Sequence, residues 1–360
     1  MGESENSKPD VSVADEREPS ASGDNGTTAP ADTGTGGTGG AEPGKKPRRK
    51  LFGGKRGGET DAVPKRKMGE KRKWKIGRKK WTLKIFLFRL IVVAAIAVII
   101  GAEFVRLTDM SDFVDTFYVV DDEKIKNPMR IAVLSDLHLQ EFGKNNIRLV
   151  DEIRKLKPDI IAMVGDMMNQ NDPDVSVVIT LCRQLVDVAP VYFSYGNHEK
   201  EAIRVKQTST LNADLEKMGV HVLHNRYETI EVNGNLIDIG GLSANPGTEN
   251  ADYTQRFWQK YIKTANYHLL LVHYPQFFFK GGALVGSNID LALCGHLHGG
   301  QIVLPFLGGL YHPLEGFLPE MTDGCHQVEG TWVVISRGLG NGKSFPRVNN
   351  PPELVIVDLM

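Results

Sequence analysis

Cysteine is scarce. The 360 residues hold only Cys182, Cys294 and Cys325, an odd count with no C-x-x-C pair. This argues against a disulfide framework and against a structural zinc finger. Cys182 and Cys294 lie in apolar runs and are expected to pack as small hydrophobes. Large apolar side chains are nearly missing from residues 1–44, which are rich in Gly, Pro, Ser, Thr and acid. Nothing there offsets the entropy cost of ordering, so disorder is expected. The chain lacks internal repeats. It also lacks long hydrophobic runs, with one exception, and no clear A-x-A cleavage site follows that run.

The net charge of −1 conceals a strong segregation. Residues 1–44 hold 9 acids and 2 bases, residues 45–84 hold 18 bases and 3 acids, and the remainder holds 23 bases and 32 acids. The local blocks are therefore informative and the overall balance is not.

The one apolar run is Leu83 to Val105, uninterrupted from Leu90 to Ala102. Ile85 to Val105 is 21 residues, close to the ~20 that cross a bilayer core. Arg89 and Glu103 near its ends can snorkel. Trp74 and Trp81 precede it, where interfacial anchors are expected. Lys71, Arg72, Lys73, Lys75, Arg78, Lys79, Lys80 and Lys84 crowd the N-terminal side, and Asp109, Asp112 and Asp115 follow the other. This predicts an uncleaved, single-pass cell-membrane anchor. The N-terminus is then cytoplasmic and the C-terminal part extracytoplasmic. The basic tract suits lipid headgroups better than nucleic acid, given its place beside the span.

Four regions are expected: a tail over 1–82, acidic then basic; a transmembrane helix over 83–105; a polar linker over 106–129; and one ordered domain over 130–360. In that domain strands alternate with helices at first. Strands are expected at Met129–Leu134, Asp159–Val164 and Val191–Tyr195, and helices at about 145–156, 174–188 and 200–218, a pattern that suggests a parallel sheet. Short strands follow at 221–223, 228–232 and 236–239, the last two joined through Asn233-Gly234-Asn235, a hairpin signal. Later strands are expected at 268–272, 289–293, 301–303, 331–336 and 354–358. The total suits a mixed α/β fold, a two-sheet β-sandwich flanked by helices.

Five segments at strand ends carry chemistry: Ser135-Asp136-Leu137-His138, Gly165-Asp166-Met167-Met168-Asn169, Gly196-Asn197-His198-Glu199, Val272-His273-Tyr274 and Gly295-His296-Leu297-His298. Taken singly, each has a plain structural reading: a capping pair, a turn, a helix start, a core histidine. Together, in this order, they point to metal-assisted hydrolysis of a phosphate ester. In an extended segment residues i and i+2 face one side. Asp136 and His138, a carboxylate and an imidazole, can then share one cation, and His296 and His298 repeat the arrangement. Gly165 and Gly196 permit sharp turns and close approach. The mixed N/O donor set favours two divalent transition metals, Mn, Fe or Zn, over Ca or Mg.

Residues 130–358 resemble the calcineurin-like metallophosphoesterases. More narrowly they resemble the bacterial membrane-associated branch with Gly-His-x-His-Gly-Gly-Gln, here Gly295 to Gln301. Arg337-Gly338-Leu339-Gly340 and the closing stretch from Arg347 to Leu354 are also similar to that branch. The resemblance implies a β-sandwich flanked by helices. It also implies a first metal on Asp136, His138, Asp166 and His298, and a second on Asp166, Asn197, His273 and His296, with Asp166 bridging. A hydroxide between the metals would attack phosphorus in line. His198 would protonate the leaving oxygen or steady its charge, with Asp166 orienting it. Asn169 and Glu199 are expected to hold the loops. His221, His224, His268, His312 and His326 match no ligand position. Arg337 and Arg347 are open to two readings, substrate phosphate or structural ion pairing. Ser243 and Ala244 stand where many relatives carry acids.

The leading expectation is a membrane-anchored phosphoesterase acting on a phosphodiester, a monoester or a pyrophosphate, with a lipid-linked substrate in view. The alternatives are a phosphoprotein phosphatase, a non-catalytic membrane-tethered binding module, and a basic tail that binds nucleic acid. The sequence leaves the oligomeric state open.

Overall fold

The structure, a computed structural model, describes residues 71–172, 174–204, 210–243, 251–312, 315–342 and 345–360, with backbone only for 71–79 and 251–255. The tail expected over 1–82 therefore lies, up to residue 70, outside the described residues.

Helix α1 (Lys71–Leu107) contains the apolar run. Its portion Lys80–Leu107 is 28 residues long with mean hydropathy 2.8, long and apolar enough to cross a membrane. At 1.5 Å per residue it extends about 42 Å.

The rest forms two six-stranded sheets packed face to face between helical layers. The first sheet contains β1 (Val114–Val120), β2 (Met129–Leu134), β3 (Ile160–Val164), β4 (Val191–Ser194) and β5 (His221–Val222), with the last strand of the chain inserted second. The helices α2 (Ile147–Leu156), α3 (Ser176–Leu185), α4 (Asn197–Arg204) and α5 (Leu211–Lys217) connect these strands. The second sheet begins with the hairpin β6 (Arg226–Val232) and β7 (Asn235–Leu242). Its turn, Asn233-Gly234, has positive φ at both residues (52° and 79°), as the turn that matches strand twist requires. Helix α6 (Ala251–Tyr261) leads to β8 (Tyr267–Val272) and then β9 (Leu291–Cys294). Two small hairpins follow, β10 (Val303–Leu304) with β11 (Gly308–Gly309) and β12 (Tyr311–His312) with β13 (Gly316–Phe317). Strands β14 (Gly324–Val328) and β15 (Thr331–Ile335) complete the second sheet, in the order β14-β15-β9-β8-β7-β6. Strand β16 (Glu353–Leu359) returns to the first, giving β1-β16-β2-β3-β4-β5.

Strand alternation builds three cores at once. Ile131 and Val133 of β2 meet Leu269 and Leu271 of β8 between the sheets. Their neighbours Ala132 and Leu134 face the other way, with Leu149, Val150 and Ile153 of α2 and Leu181 and Leu185 of α3. Leu270 and Val272 face outward beneath Phe257 and Tyr261 of α6. Helix α2 stops where Lys157 turns left-handed, φ 50°, since the following Pro158 disfavours further helix. Cys182 and Cys294 are buried, as small hydrophobes are.

Several local expectations are corrected. The stretch 106–129 is not a linker throughout, because Val114–Val120 forms β1 and pairs parallel with β16 over seven residues. Its partner lies more than two hundred residues away in sequence, Val114 opposite Glu353, and its outer face is exposed, so local pattern concealed it. The helix expected over 200–218 is α4 and α5, and α4 starts earlier, at Asn197. Strand β14, helix α6 and the small hairpins were not foreseen.

Candidate metal centre

Every candidate ligand follows the carboxyl end of a strand: Asp136 and His138 after β2, Asp166 after β3, Asn197 after β4, His273 after β8, His296 and His298 after β9. Within each sheet these strands run parallel, β2-β3-β4 in one and β8-β9 in the other. The loops at those ends gather at one edge of the sandwich, as in open α/β sheets.

The loops are stitched together beyond the strands. The amides of Asp136, His138 and Leu139 donate to the carbonyls of Gly165, Asp166 and Met167 at 3.0, 3.1 and 3.1 Å. A methyl on Gly165 would strike the backbone of Gly196, and one on Gly196 would strike Asp166. This close approach is what the two glycines permit.

The extended-strand reason given for the Asp-x-His and His-x-His spacings does not hold. Asp136, His138, Asp166, His296 and His298 all have positive φ, at 51°, 48°, 55°, 73° and 47°. The pairs converge through left-handed turns, not through strand alternation. Non-glycine residues there cost of order 1–3 kcal/mol each and persist only where the surroundings over-determine them.

Asp136, His138 and His298 form one cluster, and Asp166, His273 and His296 another, with ligand atoms in each within 4.8 Å of one another. A third group, His138, Asp166 and His198, joins them. Asp166 divides its two oxygens. Oδ1 accepts the backbone N–H of His198 at 2.8 Å. Oδ2 lies 3.1 Å from His273 Nε2, 3.8 Å from His198 Nε2 and 4.0 Å from His138 Nε2. One carboxylate oxygen thus stands between imidazoles of both clusters. His138 Nε2 lies 3.3 Å from His298 Nε2, and Asp136 Oδ1 lies 3.7 Å from His298 Nε2 and 3.8 Å from His273 Nε2.

Hydrogen bonds behind the rings fix which nitrogen faces the site. His138 Nδ1 lies 3.1 Å from Asn169 Oδ1, and His273 Nδ1 lies 2.8 Å from the carbonyl of Val164. Both acceptors call for an Nδ1–H, which leaves the Nε2 lone pairs toward the cluster. Asn197 Oδ1 and His296 Nε2 are buried with no hydrogen-bond partner among the described residues. Buried polar atoms are seldom left so, and these are the donor types that divalent transition metals take. Burial pushes His138 down and holds His296 and His298 well below the usual range, with the Arg347 charge adding to the effect at His298. Neutral imidazole is the form that ligates. Burial opposes the charge on His273 too, but Asp166 and Asp136 outweigh it and carry the ring up to about 10. The same attraction overrides burial at Asp166 and holds its carboxyl well below the usual range. A cation can take the place of that proton. The residues present therefore fit a metal pair.

Of the groups that support the site, Glu199 was expected to hold the loops and does so, while others were not foreseen. Glu199 is fully buried and accepts the N–H groups of Asp166, Met167, Met168 and Gly196 at 2.8, 2.7, 3.3 and 2.9 Å, binding two loops to one carboxylate. Asn350 Nδ2 donates to the carbonyls of His298 and Gln301 at 2.7 and 3.2 Å. His312, read as a bystander, is buried with its ring 5.0 Å from His296. Arg337 resolves as an ion pair with Glu353 at 2.9 Å. Arg347 forms no ion pair among the described residues. It is buried, places Nη2 3.0 Å from His298 Nδ1 and donates to the carbonyl of Gly340. His312 carries no local signal, and Asn350 and Arg347, though in the stretch similar to the family branch, meet the site only through the tertiary fold. The loop after Ser243 lies outside the described residues through position 250.

Comparison with known proteins agrees. The sequence model of one family, calcineurin-like phosphoesterase, matches residues 129–300. The chain is 30% identical over 237 residues to the uncharacterized metallophosphoesterase YkuE of Bacillus subtilis (strain 168), covering 64% of this chain and 78% of that protein. It is 25% identical over 244 residues to phosphodiesterase YaeI of Escherichia coli (strain K12), covering 65% and 83%. It is 28% identical over 222 residues to a transmembrane protein with metallophosphoesterase domain from Danio rerio, covering 55% of this chain and about half, 48%, of that one. A sandwich whose strand ends gather carboxylates and imidazoles into adjoining clusters, in a chain with these relatives, makes this protein a member of the calcineurin-like phosphoesterases, hydrolases of phosphate esters built around a dinuclear metal centre.

Proposed function

We propose that this chain is a membrane-anchored phosphodiesterase whose substrate carries its phosphate at the lipid–water boundary. The observation that carries the reading is Asp166, with one oxygen fixed by a backbone N–H and the other set between imidazoles of both clusters. In this reading Asp136, His138, Asp166 and His298 hold one cation, and Asp166, Asn197, His273 and His296 hold the other. When bound, such a pair lowers the pKa of water and offsets charge on the phosphoryl oxygens.

The chain's own residues then do the remaining work. His198 Nδ1 accepts the backbone N–H of Gln170 at 2.9 Å. A neutral ring so held carries its proton on Nε2, the nitrogen turned toward Asp166. The His198 side chain is 22% exposed, against 3% for Asp166, so it meets the open side where a leaving group departs. We assign its Nε2–H to steady the charge on the leaving oxygen by a hydrogen bond. The apolar helix, the basic tract before it and the acids after it support a cytoplasmic N-terminus and an extracytoplasmic catalytic domain. The likeness to YaeI favours a diester.

The test is hydrolysis of bis-p-nitrophenyl phosphate by the full chain in detergent with added Mn. Activity is expected, and chelation should abolish it. Asp166→Asn should remove both activity and bound metal. His198→Ala should lower kcat by about 10²–10³, the usual worth of one hydrogen-bond donor to developing charge, with the metal content unchanged. Full activity in Asp166→Asn would refute the assignment.

A further inference from the structure

We propose that the tip of the β10–β11 hairpin, with Phe317 and Leu318 at the base of the adjoining β12–β13 hairpin, dips into the membrane leaflet from which α1 emerges, so that the catalytic centre opens at the lipid surface. This rests on the membrane-anchor reading above and goes beyond it.

Four large apolar side chains stand in water here, two at the β10–β11 tip and two at the end of β13. Phe306 and Leu307 are 107% and 67% exposed, Phe317 and Leu318 76% and 56%. Phe306 and Leu318 also have positive φ, 70° and 52°. A turn in water takes Gly, Asn or Asp at such positions. Here Phe306 in the β10–β11 turn and Leu318 just after β13 place on such backbone groups that gain by leaving water.

The location of these side chains selects the occupant. The backbone N–H of Asn349 donates to the carbonyl of Leu107, the last residue of α1, at 2.8 Å. The side chain of the same residue donates to the carbonyl of Val303, the first residue of β10, at 3.0 Å. The N–H of Val303 in turn donates to the carbonyl of Val348 at 3.0 Å. One asparagine therefore joins the end of the apolar helix to the base of the hairpin. Phe306 follows Val303 by three residues, a reach of at most about 11 Å at 3.3–3.6 Å per residue. The second hairpin is joined to the first, since Leu310 donates to Ile302 and Leu318 to Leu310, each at 2.8 Å. The same hairpin carries His312 against His296. Helix end, apolar side chains and metal cluster are thus one continuous piece of structure. A bilayer is the apolar phase that the helix itself brings to this position.

The test uses the full chain reconstituted in phosphatidylcholine–phosphatidylglycerol vesicles. Single cysteines carrying an environment-sensitive fluorophore are placed by V98C in the helix, L307C at the tip and E329C in the β14–β15 turn at the opposite end of the sheet. Cys325→Ser removes the one native thiol that is not buried. Lipids bearing nitroxide quenchers should extinguish most emission at 98 and 307 and little at 329. Quenching at 98 with none at 307 beyond that at 329 overturns the docking and leaves the anchor standing. Absence of quenching at 98 removes the anchor reading, and this inference with it.

Discussion

Glu199 needs no contact with substrate to matter. Its carboxylate gathers four backbone N–H groups from two loops, those that carry Asp166 and Asn197. Burial and the Asp166 charge push its carboxyl up to about 7, against those donors. Glu199→Ala would leave the donors buried and unsatisfied, at a cost of at least about 3 kcal/mol. The expected result is a clear drop in the urea midpoint together with loss of metal. An unchanged midpoint would mean that water or another group replaces the carboxylate. The same scale shows what sequence can and cannot reveal. The types and order of the seven candidate ligands were legible. The reason first given for their spacing was wrong, because five of them sit in left-handed backbone that no spacing rule announces. Arg347 was open to two readings, and its contact with a ring from another loop, 49 residues away, was in neither.

Among the elements, strands buried on both faces were read to within a residue or two, as β2, β3 and β8 illustrate. Their apolar runs are continuous and bounded by Pro, Gly or charge. Strand β1 was missed for the opposite reason. It lies at a sheet edge, half of it faces water, and it interleaves Asp115 and Thr116 with apolar residues. Its energetic role is nonetheless real. Val120 is fully buried and Phe113 packs against the helical core. A chain beginning at residue 123 should be less stable than one beginning at 109 by about 3 kcal/mol, the order expected for those two side chains. It should also aggregate more readily, because β16 becomes the open edge. Comparing urea midpoints and light scattering of the two chains checks both. Equal midpoints would make 106–129 the passive tether first expected.

For the molecule as a whole, the clustered carboxylates and imidazoles are an electrostatic liability that cations relieve. Binding to the folded state alone adds about 2.7 kcal/mol when free metal stands at a hundred times its Kd. Chelation should therefore lower the unfolding midpoint of the native chain, and Asp166→Asn should be insensitive to it. Equal sensitivity in both would place the stabilising metal elsewhere. The mixed α/β class and the two-sheet architecture were legible from the switch between βα alternation and short strands. Which strands pair was not, since β16 inserts between β1 and β2 and no local pattern encodes that.

That insertion fixes an order of events. Strand β1 directly follows the apolar helix, yet its neighbour is synthesised more than two hundred residues later. The first sheet cannot close while the ribosome is still reading the middle of the message. A contact this remote in sequence is slow to form. If the domain is delivered across a bilayer, it must go through as an unclosed thread and be sealed on the far side by its final strand.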